Sequence, residues 1–423
     1  MCKSLRAISR LISNLLAMSS INATTGTSSG PKNARIFGAD GLRAIACLMV
    51  VWHHTSQKLN PDQSPGWLKG IHFLGMRGEV GVSLFFVLSG CLLSLPFWSA
   101  SLAGEKLPRV RNYALNRAAR IVPAYWLNLI LATFVALWVF QYHVNWWRLF
   151  SGLIFINSYN YKTFFPAELN GPLWSIGLEV SCYLLLPLII FLIAKITRRF
   201  IPTFGLTVLT IILLQYLNPW IIKTFMTDSD LKGWQYGLIG GAKQWLPYWN
   251  VMTFFSQFLL GSLAALFIAW RRVKSASASK AFDFIGVIAI LGAILLVSKR
   301  LTPGVPDSFT QQPYVSPFYA ILMAITLASV ANGIYVWKIL DNRLFRWIAK
   351  ISFGIYLWHD FVITYFERKI FTDYAYYGIH SPTRWFGISI TAVAISLIIA
   401  AISWRFIESP ILKAVHQKTQ SKK

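Results

Sequence analysis

Acidic residues are scarce in this chain: 15 Asp and Glu stand against 40 Lys and Arg in 423 residues. Charge of either sign makes up only 13% of the sequence, about half of what a soluble chain carries. That shortage excludes an ordinary water-soluble globular protein, whose surface needs more charge than this. Cysteine is rare as well. The four residues Cys2, Cys47, Cys91 and Cys182 have no metal-ligand spacing, and the last three lie inside apolar runs, where inert packing is the expected role. No metal site is expected.

What is present is apolar. Hydrophobic residues make up 55% of the chain and the mean hydropathy is +0.52. Runs long enough to span a bilayer recur along most of the sequence. The expected fold class is all-α, a polytopic transmembrane helical bundle.

The net charge of +25 could mark a nucleic-acid partner, but the basic residues fall in short clusters between apolar runs. These clusters are Lys3–Arg35, Lys106–Arg120, Lys195–Arg199, Arg271–Lys280, Lys338–Lys350 and Lys413–Lys423. Such placement is a topology signal, and no nucleic acid is expected. Candidate spans are Ala39–His54, Val80–Trp98, Ile121–Phe140, Trp174–Ala194 and Thr203–Ile222, followed by Met252–Trp270, Phe282–Ser298, Pro317–Trp337, Ile351–Phe366 and Trp385–Phe406. About ten crossings put every basic cluster, and both termini, on the cytoplasmic side of the plasma (cell inner) membrane. Counting Trp147–Tyr159 as a crossing would throw Lys195, Arg198 and Arg199 outside, so this segment reads as interfacial or re-entrant. The chain divides into residues 1–35, an amphipathic helix (Leu5, Ile8, Ile12, Leu15 and Leu16 on one face) plus a flexible linker; 36–410, the transmembrane domain; and 411–423, a basic tail.

Two ionisable residues are embedded in the first span. Arg43 and His54 are eleven residues apart, about three full helical turns, so they share one face and lie about 16 Å apart along the axis. Such groups are costly in a membrane, and a functional site is the default reading. The inferred topology sets Arg43, Arg117 and Arg120 towards the cytoplasm. His54 and Glu179 then lie at comparable depth in the outer half. His53 points about 100° away from His54 and reads as an interfacial or packing residue. The aromatic residues Trp67, Trp234, Tyr236, Trp245, Tyr248, Trp249 and Tyr314 lie near outer span ends, as an interfacial belt or as stacking surfaces for sugar rings. The loop Lys223–Pro247 is long enough to shape an acceptor site.

Several segments, in order, resemble the acyltransferase-3 family of bacterial integral-membrane O-acyltransferases. They are Asp40-Gly-Leu-Arg43 through His54, Gly81-Val-Ser-Leu-Phe-Phe-Val-Leu-Ser-Gly90, Arg117-Ala-Ala-Arg120-Ile-Val-Pro123-Ala-Tyr-Trp126, Gly171-Pro-Leu-Trp174-Ser-Ile-Gly-Leu-Glu179, Gly354-Ile-Tyr-Leu-Trp-His359 and Phe406-Ile-Glu408-Ser-Pro410. One departure is that Asn116 stands four residues before Arg120, where the family often has arginine. The extra extracytoplasmic domain of longer members has no counterpart here, so a second transfer step would need another protein.

The resemblance implies transfer of an acyl group, acetyl by default, from cytoplasmic acyl-CoA to a carbohydrate hydroxyl. Acyl-CoA is then a donor substrate, and no tightly bound cofactor is expected. The acceptor would be a polysaccharide, a glycolipid or a lipid-linked oligosaccharide. On this reading His54 is the catalytic base or the covalent acyl carrier. Arg43, Arg117 and Arg120 hold the CoA phosphates, Asp40 orients or neutralises Arg43, and the pantetheine arm extends along the first span. Glu179 is a second catalytic candidate, orienting His54 or touching the acceptor. Glu179, His359 and Trp174 are the candidate substrate-binding residues, with Glu79 and Asp360 weaker. A glycolipid transporter or flippase is the alternative, since an intramembrane Arg and His would also suit a permeation path.

Overall fold

The computed structural model describes residues 35–62, 64–225, 231–298 and 315–420. The amphipathic segment and linker expected before residue 35, Tyr314 and the last three residues of the basic tail lie outside the described residues. Every regular element among those described is helical, apart from one isolated bridge between Leu59 and Ile379.

The first helix, α1 (Ala39–Ser56), follows Gly38, whose φ of +81° is open to glycine and strained for other residues. A short helix α2 (Gly66–Met76) leads to α3 (Gly81–Leu102) and the long α4 (Val110–Trp138). Next comes α5 (Trp146–Leu153), which with the 3₁₀ turn Asn157–Tyr159 covers the segment expected to be interfacial. Eight residues rise about 12 Å, too little to cross a bilayer. Arg148 of α5 is tied down by the Phe165 carbonyl at 2.7 Å and by Glu168. The Tyr125 hydroxyl and Trp126 indole of α4 donate to the Gly152 and Leu153 carbonyls. The segment is therefore held against α4.

The chain continues through α6 (Trp174–Ile196), α7 (Phe200–Phe225), α8 (Gly237–Trp245), α9 (Val251–Val273), α10 (Lys280–Ser298), α11 (Phe318–Asn332), α12 (Val336–Leu340), α13 (Arg343–Tyr365), α14 (Pro382–Ser403) and α15 (Ser409–Gln420). The loop expected to shape an acceptor site contains α8 and a 3₁₀ turn at Trp234–Tyr236.

Contacts fix the helix directions. Cys47 touches the Ser352 carbonyl and His54 meets Asp360, so α1 and α13 are parallel. Arg120 over Phe353 and Asn128 on the Leu357 carbonyl make α4 parallel to α13. Phe86 on Phe254 and Trp98 on Ser262 make α3 parallel to α9, and Trp174 on Phe254 with Tyr183 on Phe258 does the same for α6. Gly78 and Gly81 meet Met49 and Ala46, so the α3 end of the bundle runs against α1. Helices α3 and α9 cross closely at Gly90 and Gly261, where an added Cβ would fall 1.9 Å from a facing carbonyl oxygen in each case.

Among the described residues, seven helical segments are long and apolar enough to cross a membrane: Gly66–Leu102, Val110–Trp138, Gly171–Ile196, Phe200–Ile221, Val251–Val273, Lys280–Ser298 and Pro382–Thr419. The chain is a multi-pass helical membrane protein. The remaining expected spans have specific reasons for falling short. α11 is apolar but only 15 residues long. α1 and α13 are diluted by ionisable residues, among them Asp40, Arg43 and His54 on one and Arg343, Arg346, Lys350, His359 and Asp360 on the other. These two helices carry the candidate chemistry.

Candidate functional site

Six helices converge on a cavity of about 290 Å³. Arg43 of α1, Arg117 and Arg120 of α4, and Glu179 and Tyr183 of α6 all line it, with Ser89 of α3 and Tyr356 of α13. The three arginines expected to act together therefore share one void. They are not equivalent. Arg120 forms an ion pair with Glu408 at 3.0 Å, and its guanidinium lies over the Phe353 and Trp404 rings. Glu408 is fully buried and takes a second contact from Ser403. Among the described residues no carboxylate forms such an ion pair with Arg43 or Arg117, although Asp40 and Glu179 act on Arg43 electrostatically.

Glu179 lies deeper among the arginines than its place in the sequence suggested. Its Oε1 accepts hydrogen bonds from Ser89 Oγ at 3.2 Å and Tyr183 Oη at 2.5 Å. It lines the cationic cavity with Arg43, and the carboxylate beside His54 belongs to Asp360 instead. The basic tail also contributes, since Leu412 of α15 is part of the cavity lining.

The His54 end of α1 is built differently. His54 Nδ1 is 3.6 Å from Asp360 Oδ1, while Asp360 Oδ2 accepts the Gly171 N–H at 2.9 Å. The carboxylate is thereby fixed between a backbone donor and the imidazole. His359 packs its ring 5.1 Å from that of His54. Its Nδ1 lies 2.8 and 3.1 Å from the Tyr356 and Ile355 carbonyls. Carbonyls only accept, so Nδ1 carries the proton and Nε2 presents a lone pair. That Nε2 is buried with no hydrogen-bond partner among the described residues. His53, by contrast, is structural: its Nδ1 donates to the Met76 carbonyl at 2.9 Å and its Nε2 accepts from Gln57 at 3.1 Å.

The cavity does not reach His54, and its lining includes neither His359 nor Trp174. Between the two regions stands Tyr356, whose hydroxyl is 2.6 Å from Ser175 Oγ and donates to the Pro172 carbonyl at 3.1 Å. The Tyr356 ring faces the cavity and is 5.8 Å from the His359 ring. The passage expected along α1 is not found among the described residues: the cavity, lined by both Tyr356 and Ser175, stops short of His54. Trp174 lies in an aromatic stack, 4.2 Å from Trp249 and 5.6 Å from Phe164. Trp67, Trp234 and Tyr236 are exposed, as an interfacial belt requires.

Residues 36–401 match the acyltransferase domain that defines the acyltransferase-3 family. The chain belongs to that family. Among curated relatives it is similar to the peptidoglycan O-acetyltransferase OatA of Listeria monocytogenes, with 27% identity over 400 residues covering 88% of this chain and 55% of the relative. It is also similar to the O-acetyltransferase OatA of Staphylococcus aureus, with 26% identity over 399 residues covering 89% and 57%. The chain thus spans little more than half the length of these relatives. No solved structure matches.

Sequence reasoning on this acyltransferase-3 chain gave little weight to Asp360 and assigned no role to Tyr356, Ser175 or Glu408. A carboxylate directly after His359 was the one available signal for Asp360. The others depend on contacts between distant helices.

Proposed function

We propose that this chain is an O-acyltransferase of the plasma (inner) membrane, moving an acetyl group from cytoplasmic acyl-CoA to a hydroxyl of a cell-surface or lipid-linked carbohydrate. The observation that carries the reading is the division of α1: a void lined by Arg43, Arg117 and Arg120 at one end, and His54 with Asp360 at the other. The names of the OatA relatives support the acetyl group and a glycan acceptor. About ten crossings with both termini cytoplasmic remain the topology adopted. The alternating helix directions support it, because they gather the starts of α4 and α13 and the ends of α6 and α9, with their basic clusters, at the Arg43 end.

The CoA phosphates, a polyanion, bind at Arg43 and Arg117, with Arg120 held ready by Glu408. Parting of the Tyr356–Ser175 contact lets the thioester pass toward His54. His54 accepts the proton of the acceptor hydroxyl as its oxygen attacks the thioester carbonyl; the C–S bond breaks and the CoA sulfur leaves with the pair of electrons. Asp360 holds the imidazole in place and stabilises its charged form. His359 Nε2 offers a second acceptor for an acceptor-sugar hydroxyl. In the alternative chemistry the imidazole itself carries the acyl group.

The test is incubation of the purified protein with labelled acetyl-CoA and a glycan acceptor. Release of CoA with label on the acceptor is the expected result. Movement of a glycolipid without thioester turnover would favour a transporter and overturn the proposal. Label trapped on His54 would distinguish the acyl carrier from the base.

A further inference from the structure

About one helical turn beyond His54, on the side away from the arginines, α1 has ended at Ser56 and Lys58 follows. The lysine is buried, at 8% exposure, and its Nζ lies 2.6 Å from Glu367 Oε2. Glu367 stands in the π-helical turn Phe366–Ile370 that directly continues α13. The parallel run of α1 and α13 therefore carries two polar rungs, His54 with Asp360 and, further out, Lys58 with Glu367. The lysine backbone is fixed as well. Its N–H donates to the Thr55 carbonyl at 3.2 Å, and its carbonyl accepts the Ile379 N–H at 3.1 Å.

An ammonium group has three N–H donors. Glu367 takes one, and no other acceptor among the described residues takes the rest. Lys58 thus brings a cation with unused donors close to a base, and it acts electrostatically on both His54 and Asp360. The groups around it are of the opposite kind. Asp360 is a carboxylate, His359 presents a lone pair at Nε2, and His53 gives its proton to the Met76 carbonyl. Gln57 lies against both His53 and His54 and is neutral. Acceptors suit the removal of a hydroxyl proton. They do nothing for the negative charge that grows on a carbonyl oxygen under attack, and that is where a fixed donor has most effect.

We propose that Lys58 is a catalytic residue of the transfer, its ammonium donating to the thioester carbonyl oxygen as that oxygen becomes negative, with Glu367 holding the ammonium in place. The assignment rests on the acyl-transfer reading above. As the new C–O bond forms, the carbonyl π pair moves onto oxygen and meets the Lys58 N–H, while the hydroxyl proton goes to His54. The pair then returns, the C–S bond breaks and CoA leaves as the thiolate. Lys58 keeps its proton throughout.

Native membranes holding the full chain and its acceptor, supplied with labelled acetyl-CoA, report the rate of label transfer to the glycan fraction. Lys58→Met is expected to lower kcat by about 10²–10³-fold, the usual loss for one oxyanion donor. The KM for acetyl-CoA should stay unchanged, because the arginines lie at the other end of α1. Lys58→Arg keeps a cationic donor and should recover part of the rate. The combination of Lys58→Met with Glu367→Met separates chemistry from scaffolding. An apolar pair in place of a buried ion pair is often neutral or stabilising, so this double variant should match the wild type in a thermal melt and stay as slow as Lys58→Met. Recovery of kcat in the double variant would reduce the pair to a staple and overturn the proposal, as would an unchanged kcat in Lys58→Met. Absence of any label transfer by the wild type would remove the transfer reading itself, and this assignment with it.

Discussion

The two ends of α1 satisfy their charges in opposite ways. At the Arg43 end, guanidinium groups line an open void, and among the described residues the one ion pair there joins Arg120 to Glu408. At the His54 end, imidazoles and a carboxylate pack against one another and against backbone groups, with Asp360 held by the Gly171 N–H. A cationic void suits an anion that must arrive and leave. A packed array with fixed donors suits chemistry, because its dipoles need little reorganisation when charge develops. On the function proposed above, the contrast corresponds to binding at one end and proton transfer at the other.

His54→Ala should break the comparison most severely, with acyl transfer falling by about 10²–10⁴-fold while the protein stays folded in membranes. Product analysis beside a thermal melt checks both. Glu408→Ala acts at the other end and on stability: removing one partner of a buried pair costs about 3–5 kcal/mol, and the melt should drop accordingly. Arg43→Gln combined with Arg117→Glu should raise the KM for acetyl-CoA roughly a hundredfold, as expected for loss of charge-assisted contacts of about 1.5–3 kcal/mol each. Steady-state kinetics would show this with kcat less affected. Asp360→Asn should show the opposite split, with kcat lowered about tenfold and the donor KM unchanged. The smallest effect is expected from Tyr356→Phe. Loss of the Ser175 contact should loosen the closure and increase CoA release in the absence of acceptor by a few-fold, about 1 kcal/mol on the hydrogen-bond scale.

Much of this arrangement was legible in the sequence, for definite reasons. Arg43 and His54 stand out because ionisable residues are rare in apolar runs and their spacing fixes a common face. The charge of Lys195–Arg199 argued against counting Trp147–Tyr159 as a crossing, and that segment holds a helix of eight residues packed on α4. Glu179 was recognisable as a carboxylate in an apolar run, but its surroundings were not: Ser89 and Tyr183 reach it from α3 and from one turn along α6, and no local pattern distinguishes the arginine cavity from the imidazole cluster. Asp360 meets His54, and Arg120 meets Glu408, across about three hundred residues of chain. Those pairings follow from the parallel run of α1 with α13 and from the turn that brings α15 beneath α4, which only the folded chain reveals. The closed contact of Tyr356 with Ser175 belongs to the same class. Each residue is unremarkable in its own helix, and both line the cavity that stops short of His54.

The division of labour along α1 is tested most directly in proteoliposomes of known orientation, with labelled acetyl-CoA confined to the compartment facing Arg43 and Arg117 and a glycan acceptor confined to the compartment facing His54. Transfer of label to the acceptor across the membrane is the predicted result. Transfer that occurs only when donor and acceptor share one compartment would contradict it.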